Sequence, residues 1–419
     1  MLAFISANGK AIEEYLTRNV QDKMTLSSFA QFGARPLFDK PLPIGQLYFP
    51  SWQRYEAACR GIFQRQYYNN NGPLLGEFED KLRLFLKVKH AICVANATLG
   101  LMMAADAMQL TGKVIVPAFT FIASAQAISW AGMEPVFCDI HPETHQIDIG
   151  KIEALIDPDV SAIMGVNLWG GSCLPKELVE LAKAHGLKVY FDSAHAFGST
   201  VDGVPIGNFG DAEVFSFHAT KILNTAEGGC ICTNDDELAA RLRSIRPTYG
   251  SEKPVSIVRV ANARMSEAQA AVGLMSLEDF PANQKNNAAL FELYQAQIAS
   301  VPGLRLLAPS GVSSSNYQYA VCMVDESEFG LSRDLLIKLL KTENVVARRY
   351  FYPGAHRSVP YVQEFPQFLG SLPKTDAVCA SVIQFPIGAL VTGSAVEKIC
   401  QLLHHIQLQS GEISAALGR

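Results

Sequence analysis

The chain has 419 residues, which is long for one hydrophobic core and predicts two domains. Apolar residues make up 49% and charged residues 18% of the chain, a globular composition that excludes an intrinsically disordered protein. The net charge of −5 at pH 7 gives no sign of a surface that binds nucleic acid by charge. Any phosphate that this protein binds must therefore be held by a local site.

The nine cysteines and the N-terminal segment indicate the cellular compartment of the protein. The cysteine count is odd and no CxxC pattern occurs, so we expect free thiols in a reducing compartment. The N-terminus lacks a basic segment followed by a full apolar one, and no run of about 18 apolar residues occurs. We therefore expect a cytoplasmic protein without a membrane segment.

The first elements follow a mixed leader at residues 1–45, in which prolines end any early helix. Residues 77–90 carry apolar residues at helical spacing, and from residue 91 onward short apolar strands alternate with helices. The predicted strands are Ala91–Ala95, Val114–Val116, Pro135–Cys138, Ala162–Val166, Lys188–Phe191, Glu213–Phe217 and Gly229–Thr233. The predicted helices between them are 98–109, 121–131 and 175–185. Such strands favour an α/β fold with a mainly parallel sheet covered on both faces.

The pattern changes after about residue 245. We predict a long helix over 264–300, then strands over 317–324 and 345–350 and helices over Ser332–Lys341 and Val396–Gln407. This second pattern is typical of a smaller α+β domain. The sequence therefore predicts a leader at 1–45, a large domain at 46–262 and a C-terminal domain at 263–419.

Polar residues stand at the ends of three predicted strands. Asn96-Ala97-Thr98 follows the first strand, Asp192 follows Lys188–Phe191, and Ser216 and Lys221 lie at and just past the end of Glu213–Phe217. In an open α/β sheet, ligands bind beyond the carboxyl ends of the strands. We therefore predict that these residues meet in one site.

Two of these residues suit carbonyl chemistry. A lone lysine such as Lys221 is most simply a solvated loop residue, but a lysine that attacks a carbonyl must be partly desolvated so that its amine is neutral. Asp192 could merely cap a helix. It could also pair with the ring nitrogen of pyridoxal phosphate (PLP), which keeps that nitrogen protonated and lets the ring accept carbanion electrons.

Three further residues have both a structural and a functional interpretation. Thr98 opens a helix, and a helix N-terminus either needs an ordinary cap or binds a phosphate. Ser216 could add a hydroxyl to that phosphate or be a structural strand residue. Phe121 could cover a cofactor ring or belong to the core.

Five motifs occur in this order along the chain. They are Val94-Ala-Asn-Ala-Thr98, Val116-Pro-Ala-Phe-Thr-Phe121, Phe191-Asp-Ser-Ala-His-Ala196, Phe215-Ser-Phe-His-Ala-Thr-Lys221 with Glu227-Gly-Gly229, and Asn262-Ala-Arg-Met-Ser-Glu267. Together they resemble the sugar-nucleotide aminotransferases of the DegT/StrS group, which are fold-type I PLP enzymes. The resemblance runs from about residue 45 to about residue 405.

The resemblance implies a role for each matching residue. Lys221 is expected to form the Schiff base with PLP and to move the proton in the 1,3-shift, with Asp192 as the partner of the ring nitrogen. Asn262 is expected to reach the phosphate of a neighbouring subunit, which implies a homodimer with shared active sites. The residues that the resemblance assigns to the cofactor are Ala97, Thr98, Phe121, Asp192, His195, Ser216, Lys221 and Asn262.

The sequence departs from the family pattern at two places. His195 stands where many members have glutamine, and Asn96-Ala97 replaces a commoner Ser-Gly pair. A related subgroup that removes sugar hydroxyls carries histidine in place of the Schiff-base lysine. Because Lys221 is present, the resemblance implies transamination.

The implied reaction has two halves. An amino acid, with glutamate favoured, converts PLP to pyridoxamine phosphate, which then aminates a nucleotide-linked keto-deoxysugar. A dTDP- or UDP-linked 4-keto-6-deoxyhexose is favoured, in the biosynthesis of a surface polysaccharide or an antibiotic sugar. The alternatives are a C3-keto sugar, an inosose-type cyclitol, a PLP-binding regulatory protein without turnover, and a purely structural α/β subunit.

Two other patterns carry no assigned role. His141-Pro-Glu-Thr-His145 has the look of a zinc helix motif, but Pro142 places it in a loop, and we predict no metal site. Arg348-Arg349-Tyr-Phe-Tyr-Pro-Gly-Ala-His356 mixes cations and aromatic residues. This segment could bind a nucleotide-sugar diphosphate or form an interface, and the sequence favours neither.

Overall fold

The structure is a computed structural model that describes residues 25–69, 71–247, 255, 257 and 259–418. Most of the predicted leader, residues 1–24, lies outside the described residues. In the part of the chain that is described, no helix has both the length and the apolar character needed to cross a membrane.

Twelve strands are formed by the described residues. They are β1 (His90–Val94), β2 (Lys113–Pro117), β3 (Glu134–Cys138), β4 (Val160–Val166), β5 (Lys188–Asp192), β6 (Thr200–Val201), β7 (Val204–Pro205), β8 (Ala212–Ser216), β9 (Gly229–Thr233), β10 (Leu304–Leu306), β11 (Ala320–Val324) and β12 (Val382–Phe385). Seven of them form a sheet in the order β1-β9-β8-β5-β4-β2-β3. In this sheet β9 alone runs antiparallel to its neighbours, so the carboxyl ends of the other six strands, β1, β2, β3, β4, β5 and β8, share one edge.

The helices of the described residues lie on both faces of this sheet and around a second, smaller one. They are α1 (Trp52–Arg65), α2 (Pro73–Leu86), α3 (Ala97–Ala107), α4 (Ile122–Trp130), α5 (Pro175–Ala184), α6 (Asp236–Ile245), α7 (Glu267–Ile298), α8 (Glu326–Phe329), α9 (Arg333–Thr342), α10 (Tyr361–Glu364), α11 (Pro373–Ser381), α12 (Gly393–Leu408) and α13 (Ser410–Ala416). Ile92 and Val94 pack on the face that carries α3, α4 and α6, while Ala91 and Cys93 pack with α2 and α7. Burial on both faces explains why these strands are continuous apolar runs. The predicted α/β class with a mainly parallel sheet is confirmed.

The C-terminal part contains the antiparallel sheet β10-β11-β12. The 32-residue helix α7 contributes to two cores: residues up to Phe280 pack under the large sheet, and residues from Leu290 onward pack with α9, α12 and the small sheet. Phe29 belongs to this second core, so part of the predicted leader packs on the C-terminal half. The division at residues 45 and 262 remains a prediction.

Several predicted elements differ from the structure. No strand forms over 345–350: Val345 bridges to Leu42 and Arg348 to Gln384, each at a single position, so the segment lacks one continuous partner strand. The strand predicted over 317–324 begins at Ala320, because Tyr317 has a left-handed φ of 50°.

The predicted ends of two helices also differ from the structure. The helix predicted over 77–90 begins at Pro73, the favoured first position, and ends before Lys87, whose φ is 55°. The helix predicted over 264–300 begins at Glu267, because Ser266 and Gln269 form a capping box.

Candidate active site

A cleft of about 430 Å³ lies at the sheet edge where the six parallel strands end. Of the eight residues that the sequence assigns to the cofactor, seven line it. They are Ala97, Thr98, Phe121, Asp192, His195, Ser216 and Lys221. Asn262 does not line the cleft; its side chain is exposed and its backbone has a left-handed φ of 48°.

Lys221 lies in the loop that connects β8 to β9. Its Nζ donates a hydrogen bond to the hydroxyl of Tyr319 at 3.0 Å. Burial lowers the pKa of the Lys221 amine from 10.5 to about 8, and the nearby Tyr350 and Asp192 oppose this fall. An appreciable fraction of the amine is therefore neutral near pH 7, and the neutral form is the one that attacks a carbonyl.

Asp192 is the last residue of β5 and is 8% exposed. One carboxylate oxygen accepts from the hydroxyl of Ser124 at 2.8 Å and the other from the N–H of Ala194 at 3.1 Å. Burial raises the pKa of the carboxyl group, while these two hydrogen bonds and the charge of Lys221 oppose the rise. Asp192 forms no ion pair with a described residue, so a cation beside it would stabilise the ionised form.

The N-terminus of α3 forms one end of the cleft. The side chain of Asn96 accepts from the N–H of Leu99 at 2.9 Å and caps the helix, while the N–H groups of Ala97 and Thr98 lie ahead of the intrahelical ladder. Gly229 begins β9 beside them: a Cβ there would lie 2.8 Å from the Ala97 nitrogen. Glycine thus allows β9 to start against the first turn of α3.

His195 lines the cleft and packs among three aromatic residues. The centre of the His195 ring lies 4.3 Å from that of Tyr319, 5.4 Å from that of Trp169 and 6.0 Å from that of Phe351. Burial, together with the charge of Lys221, lowers the pKa of His195 well below its usual range, so the imidazole is neutral. Its Nδ1 is buried and has no hydrogen-bond partner among the described residues.

Residues 53–404 match the model of the DegT/DnrJ/EryC1/StrS aminotransferase family. The chain belongs to this family. It is a PLP-dependent transaminase. Over 377 residues it is 33% identical to the dTDP-4-amino-4,6-dideoxy-D-glucose transaminase of Shigella dysenteriae, an alignment that covers 88% of this chain and 100% of the relative.

Two further comparisons agree with this assignment. The aminotransferase is 34% identical over 344 residues to the GDP-perosamine synthase of Caulobacter vibrioides, with 80% of this chain and 90% of the relative covered. A solved structure of DesI in the presence of its TDP-sugar product superimposes with a TM-score of 0.85 at 37% identity, covering 94% of this chain and 100% of that one.

The residues of this aminotransferase fit PLP at three places. The first turn of α3 and the hydroxyl of Ser216 suit a phosphate, since Ala97, Thr98 and Ser216 line the same cleft at a helix N-terminus. Asp192 is a buried carboxylate that forms no ion pair with any described residue, and the His195 nitrogen, which has no partner in that part of the chain, marks a polar site among aromatic rings. Phe121 lines the same cleft and is 56% exposed, so its ring is free to cover a bound group.

Some residues at the cleft of the aminotransferase were not found from the sequence. Ser124 does not line the cleft but donates to Asp192, and α4 holds other polar residues, so its sequence does not single Ser124 out. Tyr319, which contacts Lys221, and Phe351, which lines the cleft, are aromatic residues in apolar segments, and nothing in the pattern separates them from core residues. Arg348 and Tyr350 belong to the segment whose role the sequence left open.

Glu267, the last residue of the fifth motif, has a structural role. Its buried carboxylate accepts from the N–H groups of Leu74 at 3.1 Å and Leu75 at 2.9 Å, in the first turn of α2. A carboxylate at a helix N-terminus satisfies free N–H groups and opposes the helix dipole. This motif residue therefore holds α2 against α7.

Proposed function

We propose that this transaminase moves an amino group from glutamate to a nucleotide-linked keto-deoxysugar, with a 4-keto-6-deoxyhexose favoured, and that PLP is held covalently by Lys221. The observation that carries the proposal is the convergence of Lys221, Asp192 and the N-terminus of α3 in one cleft. These three groups suit the aldehyde, the ring nitrogen and the phosphate of PLP, respectively.

The cofactor would be held by residues of the large sheet and of the helix that follows its first strand. The N–H groups of Ala97 and Thr98 and the hydroxyl of Ser216 would bind its phosphate. Asp192 would keep its ring nitrogen protonated, and Ser124 fixes the carboxylate for that contact. When bound, PLP supplies a carbonyl carbon that accepts amino groups and a ring that takes up an electron pair.

Lys221 would move the proton at Nζ. With the amino substrate bound, the free Lys221 amine would take up a proton from the substrate at Nζ and give it back. Tyr319 keeps this amine in place, because its hydroxyl lies 3.0 Å from Nζ and its ring is buried against His195. Burial raises the pKa of the Tyr319 hydroxyl, so this phenol stays neutral and can accept a hydrogen bond from the Lys221 amine or donate one to it.

The class of acceptor rests on the relatives. One relative is named as acting at the 4-amino group of a dTDP-linked 4,6-dideoxyglucose and another as a GDP-perosamine synthase. A third is described in the presence of a TDP-sugar product. These names favour a nucleotide-linked deoxysugar for this chain as well.

The two half-reactions can be tested separately. Glutamate should bleach the visible absorbance of the PLP-loaded protein, and a 4-keto-6-deoxyhexose nucleotide should restore it. A protein whose absorbance no amino acid changes would contradict the proposal. If the visible absorbance returned only with a 3-keto sugar nucleotide or an inosose, that compound would be the acceptor in place of the 4-keto sugar.

The covalent role of Lys221 has its own test. Lys221→Ala should abolish the visible absorbance of the lysine-bound cofactor, whereas Lys176→Ala should leave it intact. Lys176 is a suitable control because its amine is exposed and donates to Asp202 at 2.6 Å. An unaltered spectrum in Lys221→Ala would refute the assignment.

We also propose that the enzyme is a homodimer in which Asn262 completes the partner's site. The side chain is exposed and lies outside its own cleft, which supports a role in another subunit. Mixing Lys221→Ala and Asn262→Ala subunits tests this: if Asn262 acts across the interface, a mixed dimer has one intact site and regains activity. Mixtures no more active than the separate variants would place Asn262 in its own subunit's site or in neither.

A further inference from the structure

The backbone on both sides of Lys221 is held by two glutamines from outside its own loop. The carbonyl of Thr220 accepts from the backbone N–H of Gln46 at 3.1 Å. The N–H of Ile222 donates to the side-chain oxygen of Gln318 at 2.8 Å. The peptide groups before and after Lys221 are therefore both tied to other parts of the chain, and both glutamines are buried, at 2% exposure each.

The two glutamines also contact each other. The side-chain nitrogen of Gln46 donates to the backbone carbonyl of Gln318 at 2.8 Å. The side-chain oxygen of Gln46 accepts from Asn287 of α7 at 2.7 Å, and its backbone carbonyl accepts from the N–H of Ala389 at 3.0 Å. Because the N–H, the carbonyl and both side-chain atoms of Gln46 have partners, its orientation is fixed between the C-terminal half and the loop of Lys221.

Two glycines let the chain segments approach closely at this junction. Gly45 has a left-handed φ of 99°, and a Cβ there would lie 3.1 Å from the Cβ of Thr220. Gly388 has a φ of 136°, and a Cβ there would lie 2.7 Å from the Cα of Gln46. A side chain at either position would push Gln46 and the loop of Lys221 apart.

The amine of Lys221 is held by the same segment as its backbone. Tyr319, whose hydroxyl accepts from Lys221 Nζ at 3.0 Å, directly follows Gln318 and precedes β11. Residues 217–228, which form the loop of Lys221, belong to neither a helix nor a strand, so no regular hydrogen-bond ladder fixes their position. The contacts from Gln46, Gln318 and Tyr319 supply that fixation instead.

We propose that Gln46 and Gln318 are positioning residues that fix the backbone of Lys221, so that the C-terminal half determines where its amine lies. The inference rests on the proposed function, in which this amine moves the proton. A misplacement of a reacting group by about 1 Å can slow a reaction about 100-fold. Neither glutamine is among the described residues that line the cleft, so both act through Lys221 and not by contact with a substrate.

The first experiment follows the half-reaction of the PLP-loaded enzyme with glutamate. Gln318→Met keeps the length of the side chain but removes the acceptor for Ile222, and the rate at saturating glutamate should fall at least about 10-fold. The half-saturating concentration should stay as in the wild type, because Gln318 does not line the cleft. The deuterium isotope effect with glutamate deuterated at Cα should be larger in the variant, because proton transfer by a misplaced Lys221 is slower.

Glu343→Gln is the control for a general loosening of the N-terminal segment. The Glu343 carboxylate accepts from the N–H groups of Ala30 at 2.7 Å and Leu37 at 2.9 Å, away from the loop of Lys221. This variant should have a lower unfolding midpoint but the wild-type rate and isotope effect. Gln46→Met removes the side chain that holds the backbone of Gln318 and should change rate and isotope effect as Gln318→Met does. If Gln318→Met does not fold, Gln46→Met decides the test.

A second measurement does not depend on the cofactor. In the apoenzyme, acylation of Lys221 by trace acetic anhydride should have its midpoint near pH 8 in the wild type and at higher pH in Gln318→Met. Burial has the largest influence on the pKa of this amine, and Tyr350 and Asp192 oppose it, so an amine released from the buried site moves toward its ordinary pKa of 10.5. Glu343→Gln should keep the wild-type midpoint.

Three results would overturn the inference. A wild-type rate and isotope effect in Gln318→Met would show that proton transfer does not depend on this contact. An equal loss of rate in Glu343→Gln would indicate a merely structural role. An unchanged acylation midpoint in Gln318→Met would show that the glutamines do not hold the amine. If no amino acid changes the wild-type absorbance, the proposed function itself fails, while the acylation midpoints still decide whether the glutamines hold Lys221.

Discussion

The titration of Lys221 provides a direct test of the site's electrostatics. Burial lowers the pKa of its amine to about 8. At pH 7, a pKa of about 8 leaves about one amine in ten uncharged, whereas the ordinary value of 10.5 leaves about one in three thousand. The buried position therefore raises the population of reactive amine by about 300-fold.

The assay is competitive acylation of the apoenzyme. Trace acetic anhydride is added between pH 6 and pH 11, and the labelled fraction of each lysine is measured by peptide mass spectrometry. The midpoint of the Lys221 curve should lie near pH 8, and the midpoint rather than the rate is decisive because burial also slows access. Exposed lysines in the same sample are the internal standards. A Lys221 midpoint near 10.5 would refute the electrostatic argument.

Two variants test the neighbours of the amine. Tyr319→Phe removes a hydroxyl that accepts from the ammonium form, and Asp192→Asn removes a charge that favours it, so each should move the midpoint to lower pH. Tyr317→Phe is the control, since that ring packs on Phe291. A midpoint that stays in place in both variants would exclude these contacts as determinants of the Lys221 charge.

The other predictions concern cofactor binding and stability. Asp192→Asn keeps the shape of the site but removes its charge and should weaken PLP binding about 100-fold in equilibrium dialysis; an unchanged dissociation constant would contradict the ring-nitrogen role. Gly229→Ala brings a Cβ against the Ala97 nitrogen and should lower the free energy of unfolding in urea by about 1–3 kcal/mol. Gly76→Ala, inside α2 with no atom within 4 Å of the new Cβ, should instead raise the free energy of unfolding by about 0.5–1 kcal/mol. The same change in both glycine variants would refute the packing argument. Glu267→Gln should lower the free energy of unfolding by about 1–3 kcal/mol, because a buried carboxylate that accepts two N–H groups of α2 is lost; an unchanged urea midpoint would contradict this.

The central sheet could be predicted because its strands are buried on both faces. Burial requires continuous apolar runs such as Ala162–Val166 and Gly229–Thr233, and the latter was predicted with its observed bounds. Helix α1 was not predicted, and Ile62 is its one fully buried residue, so little of its inner face is apolar core. The segment 345–350 has the composition of a strand, but its two bridges join it to unrelated partners.

The part of the site that lies at the ends of strands could be predicted from the sequence. Asp192 and Ser216 end neighbouring parallel strands, so topology alone brings them together. Arg348 lines the same cleft and Tyr319 contacts Lys221, both from the C-terminal half, and their positions depend on how that half packs. Local pattern carries no information on such packing, and the sequence left the role of the Arg348 segment open for this reason.

Helix α7 also sets where two relatives could be recombined. The stretch 281–286 lies between the residues that α7 gives to the first core and those that it gives to the second, and its side chains are exposed or half-buried. A crossover in this stretch would still leave cores that combine both parents, since Phe29 packs in the second core while Ala355 and Tyr361 pack with helices of the large sheet. A folded chimaera therefore requires parents whose residues are compatible at these contacts.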